Sequence, residues 1–216
     1  SGILLTGNSS IAGNDLTFNG AIDSDSLATP RDLVLNTTGN GVTRFNASVG
    51  NVADLGTLTT NADGTTIINA PFVKGTLVTF NDAAQLFSDT VVRGLTSVTF
   101  NSTIDSEAGE SNNLVVNSPL TTFNGSLGNA AVDTFLGIIQ TNAAGTTLIN
   151  APFVKGEIIN FEDAVTLGMD TVVRGTTRVT FGSTVDSEAG ESNNLVVNSP
   201  QTTFNGSLGD AAVDTF

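Results

Sequence analysis

The sequence predicts an all-β chain wound as a three-sided parallel β-solenoid, and three observations carry that expectation. The first is composition. The 216 residues contain 13 Phe but no Trp, Tyr, His or Cys, and Thr, Asn, Ser and Gly fill most of the space between Val, Leu and Ile. That palette suits many short β-branched strands separated by tight turns. No window keeps the i, i+3, i+4 spacing of an amphipathic helix. The second is a long repeat: sliding the chain by 81 residues aligns Leu55–Phe135 with Leu136–Phe216 without a gap, and roughly three-quarters of the positions are identical. The third is a shorter cycle inside that repeat, in which a Phe or Ile followed by Asn recurs in TTIIN, LVTFN, SVTFN and TTFN, ending at Asn69, Asn81, Asn101 and Asn124.

Four cycles in 81 residues give about 20 residues per cycle. At roughly 3.3 Å per residue this is too short for a strand–helix–strand crossover. It fits one coil of a three-sided solenoid whose coils stack about 4.8 Å apart. An antiparallel β-sandwich is the rival architecture, although its strands have no need of one period with one corner residue.

Taken along the chain, residues 1–54 read as divergent coils. Here FNGAIDSDSLATPRDLVLN answers FNSTIDSEAGESNNLVVN, and TRFNASVGN answers TTFNGSLGN. Residues 55–135 form a first unit of about four coils and 136–216 a second, all in one continuous solenoid. In SVTFN, strand alternation sends Val98 and Phe100 inward and Ser97 and Thr99 outward. Stacking then predicts one internal ladder of Phe80, Phe100 and Phe123, continued by Phe161, Phe181 and Phe204. The Asn residues that follow an inward Phe or Ile (Asn69, Asn81, Asn101, Asn124, Asn150 and Asn205) are expected to hold the corners in left-handed backbone and to bond along the stack.

Charge narrows the partners. With 21 acidic and 7 basic residues the formal net charge is -14, which opposes nucleic acid and anionic lipid. No segment approaches a membrane-spanning length, so neither nucleic-acid binding nor membrane insertion is expected. The chain starts without Met or a signal-like segment and stops in mid-pattern, so it reads as a processed piece or fragment.

TTFNGSLG, VTFNSTIDSE and LTTNADGTT resemble the degenerate repeats of very large bacterial exoproteins, the filamentous-haemagglutinin-like and autotransporter-type surface adhesins. The resemblance runs from about Leu16 onward. It implies a right-handed parallel β-helix, export to the cell surface and a role as stalk or adhesive fibre. The secretion-directing N-terminal domain and C-terminal barrel of such proteins are missing here, which leaves the export route open.

Candidate sites begin with DSEAGESNNLVVNSP, which occurs identically at Asp105–Pro119 and Asp186–Pro200. Asp105, Glu107 and Glu110, with Asp186, Glu188 and Glu191, are candidates for calcium, which takes six to eight oxygen ligands. Their spacing matches neither the EF-hand loop nor the calcium-binding nonapeptide. The competing reading is a solvated corner whose charge blocks strand-edge association. Lys74, Arg93, Lys155 and Arg174 recur in V-K-G and V-R-G and are expected to point outward, pairing with carboxylates such as Asp82 or Glu157, or meeting the acidic face of another molecule.

Catalysis is not expected. Without His or Cys several mechanisms disappear, and a carboxylate glycosidase needs a pair facing one sugar with one raised pKa. A carbohydrate-active β-helix enzyme or glycan-binding module is the alternative, against which the absence of Trp and Tyr weighs. A Thr-ladder ice-binding face is rejected because the outward column Ile67, Thr79, Thr99, Thr122, Leu148, Asn160, Thr180, Thr203 is interrupted. The function expected is mechanical: an extracellular rod, without a required cofactor. Its partners would be neighbouring repeats of a longer chain, or copies of itself end to end or laterally, with any cell-surface ligand undefined. The final GSLGDAAVDTF matches GSLGNAAVDTF, after which another unit begins, so coils are expected to continue beyond it.

Overall fold

The computed structural model describes residues 2–128 and 135–209. Residues 210–216, on which the expected continuation rests, lie outside them. The described chain is an all-β parallel solenoid of about ten coils with no helix, and every strand pair is parallel. Coils take roughly 20 residues. The spread follows from the corners: Ile68 to Leu86 is a short coil, and Phe18 to Phe45 a long one that carries an extra loop.

Three faces emerge from the strand register. Face one stacks Phe18, Phe45, Ile68, Leu86 and Ser106. Its neighbouring inward column then runs from Ile104 through Leu127 and Val154 to Val173 and Val197. Face two stacks Phe80, Phe100, Phe123, Ile149, Leu167 and Ser187. Face three runs from Ile22 through Val49, Val73, Val92 and Val116 to Thr141, and then to Phe161, Phe181 and Phe204. The chain visits face three, then two, then one, and returns. Period-two alternation buries one side of each strand, as in Thr90–Phe100, where Val92, Val98 and Phe100 are buried.

The six Phe of the predicted ladder all belong to inward columns, but they form two ladders rather than one. Phe80, Phe100 and Phe123 stack on face two with ring centroids 5.1 and 5.7 Å apart. Phe161, Phe181 and Phe204 stack on face three at 5.6 and 5.0 Å. A third stacked pair, Phe18–Phe45, occupies face one at 5.6 Å. The cause is a matter of counting. From Val73 on face three to its counterpart Val154 on face one the chain makes eleven face-to-face steps, so a unit is three and two-thirds coils, not four. The corner loops lengthen some coils beyond 20 residues, and the twelfth step no longer fits into 81.

The corners that join the faces are of more than one kind. The long strands Phe72–Phe80 and Thr90–Phe100 bend from face three to face two without interruption. The register between them shifts at Gly94–Ser97, where a Cβ on Gly94 would lie 2.2 Å from the Ser97 carbonyl oxygen. Other corners are built by Asn, with the expected bonds along the stack but without the expected left-handed backbone. Among the described residues no non-glycine residue has positive φ. Instead the Asn101 amide donates to Asn81 Oδ1 at 2.6 Å, Asn124 to Asn101 at 2.7 Å and Asn150 to Asn124 at 2.9 Å. An amide ladder along the stack holds the turn, so left-handed backbone is not required. Asn69 and Asn205 sit at corners of the other faces, their backbone N–H groups donating to the carbonyls of Phe45 and Phe181, both at 2.8 Å.

Candidate functional site: the acidic corner loops

The duplicated acidic segment forms a corner loop that is pinned from inside. In the first copy Ser106 is buried at the end of strand Ile104–Ser106. Its Oγ accepts from the Asn112 backbone N–H at 2.8 Å and from the Asn112 amide at 3.0 Å. The same amide donates to the Leu86 carbonyl of the previous coil at 2.9 Å. A tight turn lies between, with Gly109 at φ 86° and the Glu110 N–H on the Glu107 carbonyl at 3.1 Å. The second copy repeats this arrangement: Asn193 N–H to Ser187 Oγ at 2.9 Å, Asn193 amide to Leu167 O at 2.8 Å, and Glu191 N–H to Glu188 O at 3.0 Å. An older version spans Ser24 to Arg31, whose N–H donates to Ser24 Oγ at 2.9 Å. There the loop is closed across its mouth by the Asp25–Arg31 ion pair at 2.7 Å, which lowers the Asp25 carboxyl below its usual range.

Neighbouring coils clamp each loop. Asn113 N–H donates to Asp89 at 2.8 Å, and Asn194 N–H to Asp170 at 2.7 Å. Those bonds, from backbone first and side chain second, hold the Asp170 carboxyl low.

The six calcium candidates are therefore separated along a pinned turn. Glu110, Glu188 and Glu191 are exposed, Glu107 is half-buried, and Asp105 and Asp186 lie back on the strands. Among the described residues no three acidic side chains converge in a way that could hold a metal ion. Burial raises the Asp105 carboxyl above the usual range. The equivalent Asp23 Oδ1 accepts from the N–H groups of Val52 at 2.8 Å and Ala53 at 3.2 Å. The sequence positions corresponding to Val52 and Ala53 in the two later units fall in 129–134 and 210–216, outside the described residues.

The carboxylates with the most distinctive environment are Asp82, which the sequence suggested as an outward ion-pair partner, and its counterpart Asp163. Asp82 is only 2% exposed and Asp163 1%. Asp82 accepts from Thr60 Oγ1 at 2.6 Å and from Thr66 Oγ1 at 2.9 Å. Asp163 does the same with Thr141 at 2.6 Å and Thr147 at 3.0 Å. Burial raises both carboxyls, and the Thr hydroxyls partly offset the rise. Asp82 is thus a core corner plug, not the partner of Lys74 or Arg93. One signal pointed to it: Thr60, Thr66 and Asp82 are unchanged in the second unit, although Asn81 becomes Glu162.

The basic residues turn to other partners. Lys74 Nζ sits 4.4 Å from the centre of the Phe72 ring and donates to Asn51 at 2.8 Å. Arg93 lies 3.7 Å from Asp54. Lys155 is 5% exposed, with Nζ 5.3 Å from the Phe135 ring centre. The supposed outward Thr column also divides by face. Thr59, Thr79, Thr99 and Thr122 are in register on face two, followed by Leu148, whereas Asn160, Thr180 and Thr203 lie on face three.

Chemically, then, the surface offers isolated charged turns, and the buried carboxyls are sealed by threonines. Among the described residues no helix is long and apolar enough to cross a membrane. Against known proteins, no family model, no curated protein and no solved structure matches this chain.

Proposed function

We propose that the protein is an extracellular structural or adhesive rod, a stalk segment or filament-forming subunit of a bacterial surface protein of the filamentous-haemagglutinin-like or autotransporter-type kind. The observation that carries this reading is the behaviour of the duplicated segment. Fifteen identical residues build the same pinned corner twice, and in each the Ser hydroxyl and the Asn amide are spent on holding the coil. A repeated unit that serves its own continuation is a length-setting device.

Self-association, or a following repeat, is the partner proposed. Leu114, Val116, Phe123 and Leu127 are all fully buried under the next coil. Their counterparts Leu195 and Val197 are only half-buried, Phe204 is 37% exposed and Leu208 56% exposed. A further coil, from the same chain or from a second copy, supplies the missing cover. Calcium at the acidic loops is not required for this role.

Electron microscopy with calcium and with chelator, alongside an assay for polysaccharide turnover, tests the reading. Rods or filaments of constant width in both conditions, with no turnover, are expected. Turnover abolished by one carboxylate substitution would replace the rod with a carbohydrate-active enzyme. Filaments that form only with calcium would assign the loops to the metal.

A further inference from the structure

The three acidic loops do not lie along one edge. The first leaves face three at Ile22–Ser24 and enters face two at Leu33–Thr37. The second leaves face one at Ile104–Ser106 and enters face three at Leu114–Asn117. The third leaves face two at Val185–Ser187 and enters face one at Leu195–Asn198. Each occupies a different corner of the prism. The Phe pairs obey the same rule, with Phe18–Phe45 on face one, Phe100–Phe123 on face two and Phe181–Phe204 on face three.

We infer that the 81-residue unit is a one-third-turn module. Its acidic loop is displayed once per corner on a helical path around the rod and returns to the same edge only after three units, or eleven coils. Two independent facts make this possible. A unit contains eleven face-to-face steps, one short of a whole number of coils. And the three faces are interchangeable as hosts: the same fifteen residues fold onto faces one and three in the first copy and onto faces two and one in the second.

The consequence concerns what a partner can touch. At about 4.8 Å per coil, successive loops are roughly 18 Å apart along the axis but on different sides. Loops on one edge would recur at roughly 53 Å. A partner lying along one edge meets single loops, never a row, and parallel rods cannot set a continuous line of these loops against each other. The surface fits a partner that engages one loop at a time or one that wraps around the rod. This goes beyond the mechanical role proposed above and stands on geometry whatever the rod carries.

The chain has no Cys, so nitroxide labels at Leu27→Cys, Ala108→Cys and Ala189→Cys report unambiguously. All three sites are exposed loop positions. Pulsed electron resonance on the pairs 27/108 and 27/189 gives a ratio that separates the geometries. With loops on three corners and a chord of the order of 25 Å between them, the second distance is about 1.4 times the first. With loops on one edge it is twice the first. A second chain lacking residues 55–135 rejoins Asp54 to a Leu-Gly pair, as in the intact sequence. Its label at Leu27 then faces the one at Ala189 across a single unit, and their separation is expected to equal the intact 27/108 distance. A ratio near two in the intact chain, with a halved distance after deletion, would overturn the one-third-turn module.

Discussion

Phe123 and Phe204 are the same residue in two copies of one unit, yet Phe123 stacks beneath Phe100 on face two and Phe204 beneath Phe181 on face three. Phe123 is fully buried and Phe204 is 37% exposed. Phe123→Ala is therefore expected to cost about 3–5 kcal/mol, the range for deleting a core Phe. Phe204→Ala should cost less than half as much. Urea unfolding of the two variants checks this, and equal losses would mean that Phe204 has cover the burial does not show.

Asp82 sets a pH dependence whose sign is fixed by its burial. Its carboxyl is raised above the ordinary value of 3.8, so the folded state holds the proton more tightly than the unfolded one. The favourable contribution is complete below 3.8 and is lost as pH rises through the higher folded value. Asp163 shifts the same way. Relative to Asp82→Asn, the wild type should lose stability as pH rises from 3 towards neutrality. Melting temperatures across that range test it. Asp82→Ala should be destabilising at every pH by about 1–3 kcal/mol for each buried Thr hydroxyl left without its partner.

Gly94 and Gly109 separate two reasons for glycine. A Cβ at Gly94 meets the Ser97 carbonyl oxygen at 2.2 Å, so Gly94→Ala must displace backbone at a bent corner. About 1–3 kcal/mol is expected. Gly109 has φ 86° and nothing within 4 Å of an added Cβ. Gly109→Ala should cost about 1–2 kcal/mol, from left-handed backbone alone, and should leave the melting cooperativity unchanged.

Asn101 is the middle of an amide ladder, donating to Asn81 and accepting from Asn124. Asn101→Ala removes both bonds at an exposed corner, and a loss of about 1 kcal/mol follows. At the equivalent place the second unit has Gly182, so Asn205→Ala, which has no such neighbour below it, should be close to neutral. Chemical denaturation of the pair distinguishes ladder from ornament.

The solenoid was legible in the sequence because period and alternation are local. Val98 and Phe100 point inward for the same reason in the letters and in the strand. The number of steps per unit was not legible. Corner loops such as Glu107–Asn113 add residues without adding a face, so a count of Phe-Asn landmarks returns four coils where the register gives three and two-thirds. Asp82 was misplaced for a related reason. Its partners Thr60 and Thr66 lie on different faces, and they meet the carboxyl only after the coil path is known. The acidic loops were visible as segments, but their pinning by Ser106 and Asn112 was not, since a buried Ser in an acidic run has no signature of its own.

The most direct test of a rod whose length is set by its units is small-angle X-ray scattering of the intact chain and of the chain lacking residues 55–135. Three and two-thirds coils at about 4.8 Å each predict a loss of roughly 18 Å in the longest dimension with the cross-section unchanged. A chain that shrinks in both dimensions, or that loses its folded scattering profile when one unit is removed, would contradict the account.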